Sequence, residues 1–135
     1  MLNEQNYTLG LCYCNGWAGL QPDILKAEGY LTKAVAQGEW DACSIIGQIY
    51  EKGPPPNFDI ARNFYQIGMD NEIPTCRFLL GRLDYNQSVA PGGDLTKKNE
   101  AIKLIILAAQ AGLKQAKEWC TNHQKEVLEV EKQGA

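Results

Sequence analysis

Little in this chain advertises chemistry. Its single histidine, His123, stands on the last helical segment, with no serine or cysteine nucleophile that the sequence can place beside it, so an activated nucleophile of the usual base-assisted kind has no visible basis. The five cysteines, Cys12, Cys14, Cys43, Cys76 and Cys120, include no CxxC pair, which removes the common zinc and redox spacings and leaves reduced thiols acting as small apolar fillers. Gly92-Gly93 lacks the following GK[ST] and the preceding strand of a phosphate loop. Carboxylates such as Asp41, Glu51, Asp59, Asp70, Asp84 and Glu118 are scattered without a shared motif. No catalytic residue, cofactor or metal is expected, and the reading is of a non-enzyme.

Basic charge is short as well. Thirteen Lys and Arg face 16 Asp and Glu, for a net charge of −3, so the clustered positive face of a nucleic-acid binder is not expected. No apolar run approaches the roughly 20 residues that span a bilayer, and Met1-Leu-Asn-Glu lacks the basic start and apolar middle of a secretory signal. A cytoplasmic protein without membrane contact is the expectation. A hydrophobic content of 44% is ordinary for a globular chain and argues against disorder.

What the chain does have is recurrence. Leu9-Gly10 with Tyr13 and Gly16 returns as Ile46-Gly47 with Tyr50 and Gly53, and more weakly as Leu80-Gly81 with Tyr85. Each copy is followed by an alanine (Ala27, Ala61, Ala101), a large pair (Tyr30-Leu31, Phe64-Tyr65, Leu104-Ile105) and a small residue that opens the next copy (Ala42, Cys76, Ala116). The alanines lie 34 and then 40 residues apart. Repeats of this length are stacked helix pairs.

Helix signals follow the same rhythm. Tyr7 to Asn15 reads as a first helix stopped at Gly16, and Asp23 supplies acceptor oxygens at the start of the next. That helix runs to about Gln37-Gly38, the following one from Glu39 to Lys52, and Asn57 or Asp59 opens the next after the rigid Pro54-Pro55-Pro56 connector. Pro74 opens the third pair, Asn86 to Gly93 reads as a long polar turn holding the extra residues of the wider interval, and Asp94 caps a helix from Leu95 to Ala111. Leu113 to about Lys132 reads as one closing helix with a polar outer face. Gln5 stands where the other copies open with Ala42, Cys76 and Ala116, so both ends read as capped and the chain as a whole protein. Gly10, Gly47 and Gly81 fall inside helices, where glycine costs about 1 kcal/mol relative to alanine. A partner helix must approach closely there.

These residues resemble the Sel-one-like repeat family, relatives of the tetratricopeptide repeats. The family pattern is met in the first copy at Leu9, Gly10, Tyr13, Gly16, Asp23, Lys26, Ala27, Tyr30, Lys33, Ala34, Gln37, Gly38 and Ala42. The second copy departs at Asn71-Glu72, where the family has Gln-Gly, and the third loses its second glycine at Gln87. The resemblance implies an all-α, right-handed α-solenoid of three antiparallel helix pairs with a C-terminal capping helix. It places one domain over residues 1–135, with repeats at approximately 5–38, 39–72 and 73–112 and the cap at 113–132. Some bacterial relatives clamp each pair with disulfides, and their second cysteine would coincide with Cys43, but its partner position is Val35. That departure argues against the disulfide-clamped secreted branch and against carrying over the enzymatic activity of that branch.

The family implies an adaptor or scaffold, and stacked pairs expose one row of first-helix residues on a concave face. With Ala42, Ile45, Ile46 and Ile49 taken as core, the row in the second pair is Asp41, Ser44, Gln48 and Glu51; equivalents are Tyr7, Leu11 and Cys14 in the first pair, Phe78, Arg82 and Tyr85 in the third, and Glu118, Asn122 and Lys125 in the last segment. A protein or peptide partner is the expectation, with the chain a monomer or weak dimer. Two alternatives stand beside it: an immunity or inhibitor protein that neutralises a toxin or enzyme, and a hydrolase of the cysteine-rich branch.

Overall fold

The computed structural model describes residues 2–134. They form eight α-helices and no strand: α1 (Leu2–Asn15), α2 (Ile24–Ala36), α3 (Ala42–Lys52), α4 (Phe58–Asp70), α5 (Pro74–Val89), α6 (Lys98–Gln110), α7 (Lys114–Asn122) and α8 (Gln124–Gly134). Single 3-10 turns at Trp17–Gly19 and Leu95–Lys97 precede α2 and α6. The chain divides into two compact units, Met1–Asn71 and Glu72–Ala135.

In the first unit α1 packs on α2, α2 on α3 and α3 on α4. The pairing of α1 with α2 is antiparallel. Asn6 near the start of α1 donates to Gln37 beyond the end of α2 at 2.9 Å, while Tyr13 near the end of α1 meets Lys26 at the start of α2. Asp23 accepts from the backbone N–H of Lys26 at 3.1 Å and Asn57 from that of Ile60 at 3.1 Å, each satisfying an N–H that the helix start leaves open. A core of Leu31, Ala34, Ala42 and Ile46 lies among these helices, with Tyr7, Cys14, Ile45, Tyr50 and Phe64 against it.

Each recurring glycine marks a close approach, and the residue that fills the space is the second member of the large pair. A Cβ at Gly10 would lie 2.5 Å from Leu31 Cγ, one at Gly47 would enter the Tyr65 ring, and one at Gly81 would lie 2.8 Å from Ile105 Cγ1 and 2.9 Å from the Ala101 carbonyl. The alanines of the partner helices, Ala27, Ala61 and Ala101, are buried, as are the opening residues Ala42, Cys76 and Ala116. Cys76 therefore fills the place of an alanine, and none of the five cysteines is bridged.

In the second unit α5 packs on α6, and α7 and α8 close the chain against α6. Three expectations change here. Helix α5 continues through Asn86, Gln87 and Ser88 to Val89, so part of the polar segment lengthens a helix. The chain then folds back tightly, with Gly93 N–H donating to the Ala90 carbonyl at 2.8 Å; a Cβ on Gly93 would collide with the Gln87 and Ser88 carbonyls. The closing helix is two helices, broken at His123, whose ring Nδ1 lies 2.9 Å from the Trp119 carbonyl. Asp94 caps, but it caps the 3-10 turn ahead of α6, accepting from Thr96 N–H at 3.0 Å.

Candidate functional site

The first unit holds a cleft of about 230 Å³ between α1 and α3. Leu11, Cys14 and Asn15 form the α1 wall, Ile45, Gln48, Ile49 and Lys52 form the α3 wall, and Ile24 and Gly53 close it where α2 begins and α3 ends. These positions follow from helix geometry. Residues 45, 48, 49 and 52 recur at intervals of three and four, so they share one face of α3. The lining is apolar except for two amides, a thiol and one ammonium.

Burial pushes the Cys14 thiol above its usual value, and the nearby Lys52 ammonium opposes the shift by favouring the thiolate. Farther along the same helices, burial raises the Tyr7 phenol, helped by the carboxylates of Asp41 and Glu39. Cys43, fully buried, is pushed up to about 11 by burial and by Asp41. At neutral pH these groups are protonated and unreactive.

The structure brings part of the sequence-assigned row together. Tyr7 and Asp41 are close enough to interact electrostatically, and Leu11, Cys14 and Gln48 share the cleft. Ser44 is buried, with its hydroxyl donating to the Asp41 carbonyl at 2.8 Å, and Glu51 accepts from the Tyr65 hydroxyl at 2.7 Å. Both therefore serve the fold of the unit. The open face of α3 is turned round the helix from the sequence assignment but keeps Gln48, and Ile45 and Ile49, read as core, pack against the core and line the cleft as well. Lys52, Ile24, Asn15 and Gly53 were missed in the sequence. The spacing of Ile45, Ile49 and Lys52 was visible there, but nothing local distinguishes a cleft wall from a core stripe.

In the second unit Phe78 and Tyr85 are buried, which removes them from an exposed row. Arg82 places its guanidinium 5.4 Å from the Phe78 ring centre. Tyr85 meets Trp119 and His123 edge-on, those two rings stack at 3.8 Å, and the Tyr85 hydroxyl donates to Glu126 at 2.8 Å. Burial and this bond push the Tyr85 phenol up to about 12. Lys98 pairs with Glu126 at 3.4 Å. Glu118 is exposed on α7 beside Lys114, and Asn122 is exposed at the end of the same helix. Among the described residues no group of three His, Cys, Asp or Glu gathers as a metal site would require. No helix there is long and apolar enough to cross a membrane.

Glycine-to-large-residue contacts repeated three times identify a helix-pair repeat, and the Sel1 repeat family model matches residues 6–39, 40–68 and 78–113. The chain belongs to the Sel1 repeat family. A crystal structure of a Sel1 repeat protein from Oxalobacter formigenes shares the fold, with a TM-score of 0.68 and 23% identity over 84% of this chain. This chain spans 45% of that protein's length. No curated protein matches the chain. Sel1 repeat proteins are tetratricopeptide-like helical repeats that serve generally as protein-interaction modules.

Proposed function

We propose that this Sel1 repeat chain is an adaptor that binds a protein or peptide partner on the face shared by α1 and α3, with the cleft as its anchoring point. The cleft itself carries this reading: an apolar recess with amides along its edge, set between two rigid helices, has the character of an interface core. Its size supports a chain segment over a metabolite, because about 230 Å³ falls below the roughly 300–1,000 Å³ of small-molecule pockets. The net charge of −3 favours a protein over a nucleic acid.

Affinity capture from the native cell, followed by mass spectrometry, tests the reading. The bait is compared with Gln48→Trp, which fills the cleft from its edge, and with Lys103→Ala, a change on the exposed side of α6. A partner held by wild type and Lys103→Ala but lost with Gln48→Trp is the expected result. Equal recovery with all three overturns the assignment of the cleft.

A further inference from the structure

Among the described residues, the nine that line the cleft include one charged side chain, Lys52, and no carboxylate. The walls around it are aliphatic, supplied by Leu11, Ile24, Ile45 and Ile49. Lys52 is exposed and occupies the last turn of α3, and it lines the same cleft as Cys14 of α1. Positive charge is thus brought to the edge of an apolar recess in a chain that is acidic as a whole. Gln48, half-buried one turn before Lys52, offers an amide that can both donate to and accept from a peptide group.

We infer that the cleft recognises a partner segment in which an aliphatic side chain is next to a carboxylate, the side chain entering between α1 and α3 and the carboxylate pairing with Lys52. This inference rests on the cleft reading proposed above and adds the chemistry of the partner. Recess volume and charge act together. The volume accommodates one anchoring side chain and its surroundings, as a central interface pocket does. The single cation at its edge selects the sign of the neighbouring residue and steers approach. An aliphatic residue followed by a lysine or arginine would meet like charge at the same point and be rejected.

The test is selection of a random heptapeptide display library on the immobilised full chain, with selected peptides then synthesised and measured by fluorescence anisotropy. Enrichment of Leu, Ile or Met beside Asp or Glu is expected. Lys52→Glu should weaken these peptides about tenfold and Lys52→Gln by less, both with reduced salt dependence, while Gln48→Trp should abolish binding. Circular dichroism verifies that each variant is folded, and the neutral Lys52→Gln retains the test if the charge reversal disturbs the end of α3. Peptides blocked by Gln48→Trp but without acidic preference, or bound equally by Lys52→Glu, overturn the inference while leaving the cleft reading intact. Peptides indifferent to Gln48→Trp, or no enrichment at all, overturn both.

Discussion

In the second repeat the tyrosine three residues after the helix glycine, Tyr50, lies face to face with Phe64 of its own partner helix, with ring centres 6.2 Å apart. The first repeat does the same with Tyr13 and Tyr30 at 5.7 Å. In the third repeat the tyrosine comes one residue later, at Tyr85, and meets Trp119 and His123 of the closing segment. One residue of displacement rotates a helical side chain by about 100°. The same residue type thus holds a helix pair together in the first unit and fastens the end of the chain in the second. What looked in the sequence like a degraded copy is a changed attachment.

The largest test removes that attachment. Trp119→Ala takes away the ring packed against both Tyr85 and His123 and should destabilise by about 3–5 kcal/mol, measured by urea denaturation; Tyr30→Ala, whose ring is only half-buried, should cost less. Equal losses would erase the contrast between the two tyrosine roles. Next comes the feature that the repeats share. Gly47→Leu drives a side chain into the Tyr65 ring and should cost about 1–3 kcal/mol through overpacking. Gly29, inside α2, has nothing within 4 Å of an added Cβ, so Gly29→Ala should instead stabilise by up to about 1 kcal/mol. Opposite signs for two helical glycines would establish that close approach, not helix propensity, keeps Gly47.

A smaller effect isolates the Tyr85 hydroxyl. Tyr85→Phe deletes its bond to Glu126 and should cost about 1.5 kcal/mol, the low end for a bond to a charged group because Glu126 is partly exposed. The pH dependence has a definite sign. The folded protein holds the phenolic proton more tightly than the unfolded chain, with its pKa raised from 10.0 to about 12. This contribution is therefore complete below about pH 10 and is lost as the pH rises towards about 12. Denaturation curves on both sides of that window should show the loss in wild type and a reduced slope in Tyr85→Phe.

The smallest effect concerns a turn. Gly38 and Gly112 take left-handed conformations, φ 93° and 98°, after the second helix of the first and third repeats, and Glu72 takes φ 63° at the matching point of the second. Glu72→Gly should stabilise by about 1 kcal/mol, by relieving the contact of Cβ with its own backbone. A neutral result in a thermal melt would mean that the turn tolerates the side chain at no cost.

The repeat spacing, the helix-pair class, the cap at Asp23 and the close approaches at the three helix glycines were legible in the amino-acid sequence, while the choice between Asn57 and Asp59 at the start of α4 was not. Each is set by a residue type at a fixed offset: a short acceptor before a helix, or a missing side chain opposite a large one. Other features depended on what each helix meets. Ser44, Phe78 and Tyr85 have the composition of a recognition surface, but their neighbours bury them. Ile45 and Ile49 have the periodicity of core and pack against it, yet they also line a cleft. The run from Asn86 to Val89 is polar enough for a turn and is helical, because local preference is worth tenths of a kcal/mol per residue and tertiary contacts outweigh it. Period and register are properties of one helix and can be read along the chain. Which face is covered depends on the helix beside it, and only the tertiary structure decides that.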